Sequence, residues 1–285
     1  MSEPGLAEES ARHAAAASET TPSSLQVSPP EIDRPLVVHR LIQIGLFTAL
    51  TWKWAFFAEA NRVYAEIPLY DPFFPDLLRS LGVVRLGLLG ALAGICGNFF
   101  SAGYPLRLCC SITTLLSVTV LCLHQASYND ATFTTAWWTS LWGLWFVRYV
   151  HSEGKYADLR RPALLSRLII SMVLLGGGVG KWTAEYWSGE VLYQIYFVDR
   201  DFWVFNHLRG HFDEPALRQI AMWYSRQVVV IETICGFGLW LLPPRWAAVT
   251  GIVVFTSIAV FSNWLLFSVL LSVIALSAVG LFVRE

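Results

Sequence analysis

Between residues 36 and 283 the sequence runs as a series of apolar stretches. Each is close to the about 20 residues an α-helix needs to cross the hydrocarbon core of a bilayer. This pattern dictates the fold class. Backbone amides and carbonyls in lipid must be satisfied within their own segment, so the stretches are expected to be helices. The first covers residues 36–60, the second 83–101, the third 106–124, the fourth 136–150, the fifth 164–180 and the sixth 219–242. An apolar block at 246–283 is too long for one crossing and is divided at Ser262-Asn263-Trp264. The expectation is an all-α, polytopic transmembrane bundle of about eight spans, with seven to nine defensible. Residues 70–79 are too short and too rich in proline to cross and read as interfacial.

Residues 1–35 differ. They are rich in Ala, Ser, Glu, Thr and Pro, with almost no large aliphatic side chains, and are expected to form a disordered tail. The apolar core and basic flank of a signal peptide are missing. The organisation is therefore a tail, 1–35, followed by a transmembrane domain, 36–285.

Composition agrees with a lipid environment. The chain is 55% hydrophobic and 14% charged, with 13 Trp, against about 25% charged in a soluble domain. A water-facing surface of this size needs more charge. The net charge of −1 offers no basic field for nucleic acid. The cysteines lack the paired spacing of a disulfide framework or zinc site. No fixed-period or inverted repeat is visible, which argues against a transporter. Nucleophile-elbow, zincin, P-loop and dinucleotide-binding motifs are absent from the sequence.

Positive charge sets an orientation. Arg148, Lys155, Arg160, Arg161 and Arg167 flank the loop between the fourth and fifth spans, while the loop between the third and fourth has no Lys or Arg. Placing the basic loop in the cytoplasm puts both termini, Arg107 and Arg245 there as well. The long aromatic connection at 182–214 then faces the opposite side, although it carries Arg200 and Arg209.

Charged residues inside spans are costly and mark functional candidates. Four stand out: Lys53 in the first span, Arg85 at the start of the second, Lys181 at the end of the fifth and Glu232 in the sixth. Glu232 lies in Gln-Val-Val-Val-Ile-Glu-Thr-Ile, far from other charges. It reads either as a proton-carrying acid or as half of an ion pair with Lys53, Arg226 or Lys181. Lys181 follows Gly176-Gly177-Gly178-Val179-Gly180, where missing side chains let a neighbouring helix or ligand approach. A lysine there can serve as a base, or it can snorkel to the interface. The polar break at 124–130 reads as a cavity lining or as a solvent loop. His207, Arg209 and His211 fit no standard metal spacing. The Trp set at 137, 138, 142 and 145 reads as packing and interfacial belt, and Gly87–Gly94 as a close helix contact.

The run Gly178-Val179-Gly180-Lys181-Trp182-Thr183-Ala184-Glu185-Tyr186-Trp187-Ser188-Gly189 resembles a segment of the HTTM domain, which is shared with the vitamin K-dependent γ-carboxylases. The family pattern joins Gly-x-x-Lys to an acidic linker, a Trp and a Gly. Here the Lys181-to-Gly189 spacing is kept and Trp187 falls one place late. Glu232, followed by Pro243-Pro244-Arg245, is similar to the family's Glu-bearing helix and its Pro-x-Arg turn, and Asn129 matches more weakly. The carboxylases have a second lysine where this chain has Gly180.

In the carboxylases this lysine is the proposed base acting on vitamin K hydroquinone. The resemblance therefore implies Lys181 as a base, Glu232 as its buried partner, and Gly178, Trp182, Trp187 and Asn129 around a quinone. The implied function is quinone- or lipid-linked chemistry at the non-cytoplasmic face. The alternatives are a non-enzymatic membrane factor that helps mature or export a secreted peptide, working with that peptide or a soluble partner, and a transporter.

Overall fold

The structure is a computed structural model and describes residues 33–59, 61–62, 80–123, 131–154, 157–262, 264 and 266–284. The expected tail up to residue 32, the interfacial segment 70–79 and the polar break 124–130, with Asn129, lie outside the described residues.

Among the described residues every regular element is helical. In chain order they are α1 (Arg34–Thr51), α2 (Trp54–Ala58), α3 (Leu81–Phe100), α4 (Tyr104–Leu123), α5 (Thr132–Glu153) and α6 (Arg160–Gly180). There follow α7 (Ala184–Ser188), α8 (Glu190–Tyr193) with a π-turn at Gln194–Val198, and α9 (Trp203–His211). Last come α10 (Glu214–Gly238), α11 (Pro244–Phe261) and α12 (Phe267–Ala278), which closes in a 3-10 turn at Val279–Phe282.

Four helices, α3, α4, α6 and α11, are long and apolar enough to cross a membrane. They coincide with the expected second, third, fifth and seventh stretches. The other four stretches are helical too, as α1, α5, α10 and α12.

The largest boundary departure is in the first stretch. The first stretch does not run to residue 60: α1 stops at Thr51, and Lys53 lies in the turn before α2 rather than inside a helix. The Thr48 and Thr51 hydroxyls donate back to Ile44 O and Phe47 O, each at 2.7 Å, the kind of bond that bends a helix. The next turn tightens, with Lys53 N bonded to Leu50 O at 3.1 Å.

Other ends follow local chemistry. Ser80 accepts from Val83 N and opens α3. Asp213 accepts from Ala216 N with Pro215 in the first turn, so α10 begins at Glu214, earlier than residue 219. Pro244 opens α11.

The main core joins α1, α3, α4, α5, α6, α11 and α12, with α12 packed against α1, α5, α6 and α11. Trp142, Phe133 and Phe146 of α5 are fully buried there. Trp142 Nε1 donates to Pro162 O and Trp137 Nε1 to Thr119 Oγ1, so these indoles pack and tie helices together. The glycines of α3 form a tight contact with α4: a Cβ on Gly94 would fall 2.5 Å from Thr114 Oγ1 and 3.0 Å from Cys110 O.

The connection at 182–214 is folded. Helices α7 to α9 and the π-turn lay Tyr193, Tyr196, Phe197, Phe202 and Phe205 against Leu217 and Ala221 of α10, a second and smaller apolar core.

Candidate functional site

Helices α6 and α10 lie side by side. Lys181 is the residue that ends α6, and Glu232 stands in the last two turns of α10. The pairing brings them together across 51 residues of sequence: Lys181 Nζ lies 2.5 Å from both Oε1 and Oε2 of Glu232. Of the three cations that sequence offered to Glu232, Lys181 takes it.

The approach depends on the glycines before Lys181. A Cβ on Gly178 would lie 2.9 Å from Thr233 Oγ1, and one on Gly177 would lie 3.3 Å from Glu232 Oε2. Side chains at these two positions would separate α6 from α10 or fill the space that the pair occupies. Gly176 and Gly180 face open space.

The pair is asymmetric. The Glu232 side chain is 7% exposed and that of Lys181 is 25% exposed, so Lys181 is the more accessible partner. A buried carboxylate is costly unless paired, and here it has a bidentate cation.

Aromatic residues of the connection crowd the open end. Trp182 Nε1 is 3.5 Å from Thr233 Oγ1, and the Trp182 and Trp187 rings are 5.1 Å apart. Ser225 Oγ donates to Tyr186 O at 2.5 Å, and Arg226 Nε donates to Trp187 O at 3.1 Å. The Arg226 guanidinium also lies near the Trp187 and Trp223 rings. Burial, and then the Glu232 carboxylate, push the Tyr186 phenol above its ordinary value, so Tyr186 stays a proton-bearing donor at neutral pH. Gly189, at φ 82°, presses on the Met222 backbone and docks the connection on α10.

The structure therefore gathers Lys181, Glu232, Gly178, Trp182 and Trp187 in one place. Asn129 lies outside the described residues. Arg85, singled out for its position, bonds Asn61 Oδ1 instead. Arg209 bonds the carbonyls of Phe197 and Arg200. Sequence reasoning missed Thr233, Ser225 and Arg226 as supports. Arg226 was visible only as a possible ion partner, and its bond to a backbone carbonyl leaves no sequence signal.

Two apolar cavities among the described residues lie apart from the pair. One, of about 340 Å³, sits between α9, α10 and Phe261 at the end of α11. The other, of about 220 Å³, sits between α1 and α3. Neither is lined by Lys181 or Glu232.

In comparisons with known proteins, no family model, curated protein or solved structure matches this chain.

Proposed function

We propose that this chain is a multi-pass membrane protein of about eight spans, of HTTM type, in which Lys181 and Glu232 move a proton to or from a lipid-soluble hydroquinone. The observation that carries this reading is the bidentate Lys181–Glu232 contact at the accessible end of a glycine-lined helix pair.

A bilayer location is supported by what the bundle exposes. Large apolar side chains such as Leu86, Phe100, Leu116 and Val179 face outward from the apolar helices. Exposed indoles cluster at helix ends: Trp52 and Trp54 after α1, Trp182 after α6, Trp240 and Trp246 around the α10–α11 turn, and Trp264 after α11. Such aromatic belts mark membrane–water interfaces. The basic loop between α5 and α6 is assigned to the cytoplasm with both termini, and the 182–214 connection to the opposite face.

The side chains at the pair offer the chemistry that a phenol needs, although both described cavities lie elsewhere. An amine and a carboxylate stand at one end, and indoles able to stack on a ring stand beside them. When bound, the hydroquinone supplies an ionisable hydroxyl and reducing electrons. Shifting one proton from Lys181 Nζ to Glu232 leaves a free amine beside a neutral carboxyl, with no change in the total charge of the pair. The free amine of Lys181 then takes a proton from the hydroxyl. Glu232 holds the proton that Lys181 gave up.

The test is hydroquinone-dependent oxygen uptake by membranes that contain the chain. Wild type is expected to show uptake and Lys181→Ala to lose about a hundredfold or more. Unchanged, nonzero uptake in Lys181→Ala would overturn the role of Lys181, and absence of uptake in wild type would remove the enzymatic reading.

A second reading, a membrane factor for a secreted peptide, is favoured by the apolar cleft beside α9. Phe205, Leu208, Ile220 and Trp223 line it on the face of the connection. Crosslinking of a co-expressed secreted peptide to Trp223 tests that reading.

A further inference from the structure

The cavity between α1 and α3 exposes only apolar surface, with Ile44 and Phe47 of α1 and Ile95, Cys96, Phe99 and Phe100 of α3 in its wall. Its volume of about 220 Å³ is below that of sites for whole drug-sized molecules, so it takes a segment of a longer molecule. Ile44, Phe47 and Phe100 are exposed at the rim. In the proposed membrane location they open the cavity sideways toward hydrocarbon. Such a wall fits an acyl chain, and by itself selects no particular lipid.

Selective groups stand outside the cavity, at its end. Arg40 lies on the same exposed stripe of α1 as Ile44 and Phe47, one turn before Ile44. Its guanidinium is 5.6 Å from the centroid of the Phe99 ring, and Phe99 is part of the cavity wall. Arg107 of α4 donates from Nε to Ser101 O at 3.0 Å, which leaves both terminal nitrogens for another acceptor. Phe99 and Ser101 are two positions apart, so the two arginines flank the same end of α3. Both are within electrostatic range of the buried His39 ring, which lies 3.4 Å from Asn98 O. Neither arginine has a carboxylate partner among the described residues. Two cations without an acid, at the mouth of an apolar groove, complement a molecule with an anionic phosphate head and an apolar tail. In the proposed orientation α1 begins and α3 ends on the cytoplasmic side, where the leaflet carries anionic lipids.

We propose that Arg40, Arg107 and the α1–α3 groove form a binding site for one anionic phospholipid of the cytoplasmic leaflet. Its phosphate sits on the two guanidiniums, and a length of one acyl chain lies in the groove. The site is separate from the Lys181–Glu232 pair, which stands on α6 and α10, and shares with the proposed function only the bilayer location and orientation.

The test uses the full chain in phosphatidylcholine vesicles with a trace of phosphatidylglycerol carrying a diazirine in one acyl chain, compared with phosphatidylcholine carrying the same chain. The anionic probe is expected to label residues 44–47 and 95–100 about twenty-fold more, at about five-fold for each arginine. Arg40→Gln, which leaves the Arg107–Ser101 bond in place, is expected to lower the preference to about five-fold, and Arg40→Gln with Arg107→Gln to abolish it. Arg161→Gln, at an exposed position of the basic loop, and Lys181→Ala are expected to leave it intact. Millimolar inorganic phosphate is expected to leave it intact as well, since the acyl chain holds the lipid in the groove. Equal labelling by both probes, a preference that survives the double variant, or an equal loss in Arg161→Gln overturns the site, and loss to inorganic phosphate overturns its assignment to a lipid. Labelling of other outward-facing apolar residues, such as Leu116, reports separately on the bilayer location: its complete absence overturns the membrane reading as well.

Discussion

Gly178 of α6 and Thr233 of α10 set how closely the two site-bearing helices approach: a Cβ on Gly178 would lie 2.9 Å from the Thr233 hydroxyl oxygen. That hydroxyl is already committed to Val229 O at 2.8 Å and cannot swing away freely. Gly178→Ala is therefore expected to cost about 1–3 kcal/mol through overpacking. Thr233→Ala in the same chain should recover about 1 kcal/mol of that. A double-mutant cycle on unfolding in mixed micelles checks it, and strict additivity would mean that the two residues are not in contact.

The Lys181–Glu232 pair should reveal itself through unequal costs. Glu232→Leu strands an ammonium at a half-buried site and should destabilise by about 3 kcal/mol, the low end for breaking a buried pair because Lys181 is partly exposed. Replacing both, Lys181→Met with Glu232→Leu, should cost less than Glu232→Leu alone. Thermal melts of the three variants in detergent decide this.

Gly189 carries φ 82° and leaves no space for a Cβ against the Met222 backbone. Gly189→Ala should release the connection from α10 at a cost of about 1–3 kcal/mol. Limited proteolysis is expected to cut within 190–212 much sooner than in wild type, while α1 to α6 remain protected.

The charge asymmetry makes a topological prediction. In a chain whose native cysteines have been replaced, Ser152→Cys and Ser188→Cys, both at exposed positions, should react with an impermeant maleimide from opposite faces of sealed vesicles. Ser152→Cys is expected on the cytoplasmic side. Labelling of both from one face would contradict the assigned orientation.

Helices were legible in the sequence because apolar length is a local signal, and Pro243-Pro244 marked the turn before α11. The caps Ser80 and Asp213, the latter with Pro215, lie outside the apolar runs, so α3 and α10 start earlier than those runs do. The break at Trp52-Lys53 was not legible: neither Gly nor Pro marks it, and threonines that bond back to a carbonyl as Thr48 and Thr51 do also occur in uninterrupted helices. Glu232 and Lys181 could be named individually as costly charges. Their union could not be ranked above Lys53 or Arg226, since spatial neighbours are fixed by how α6 meets α10. Arg226 lies six positions before Glu232 on the same helix, off its face, and serves the Trp187 carbonyl instead.

Lys181 is proposed to act as a base and not merely as half of a strut. The most direct test exchanges the two residues, Lys181→Glu with Glu232→Lys, and follows both stability and hydroquinone-dependent oxygen uptake. The exchange keeps an ion pair between α6 and α10 but moves the amine to the buried position. The expected result is a melting temperature near that of wild type, with uptake lowered about a hundredfold. Uptake restored to the wild-type rate by the exchanged pair would contradict the account and leave the pair a structural tie.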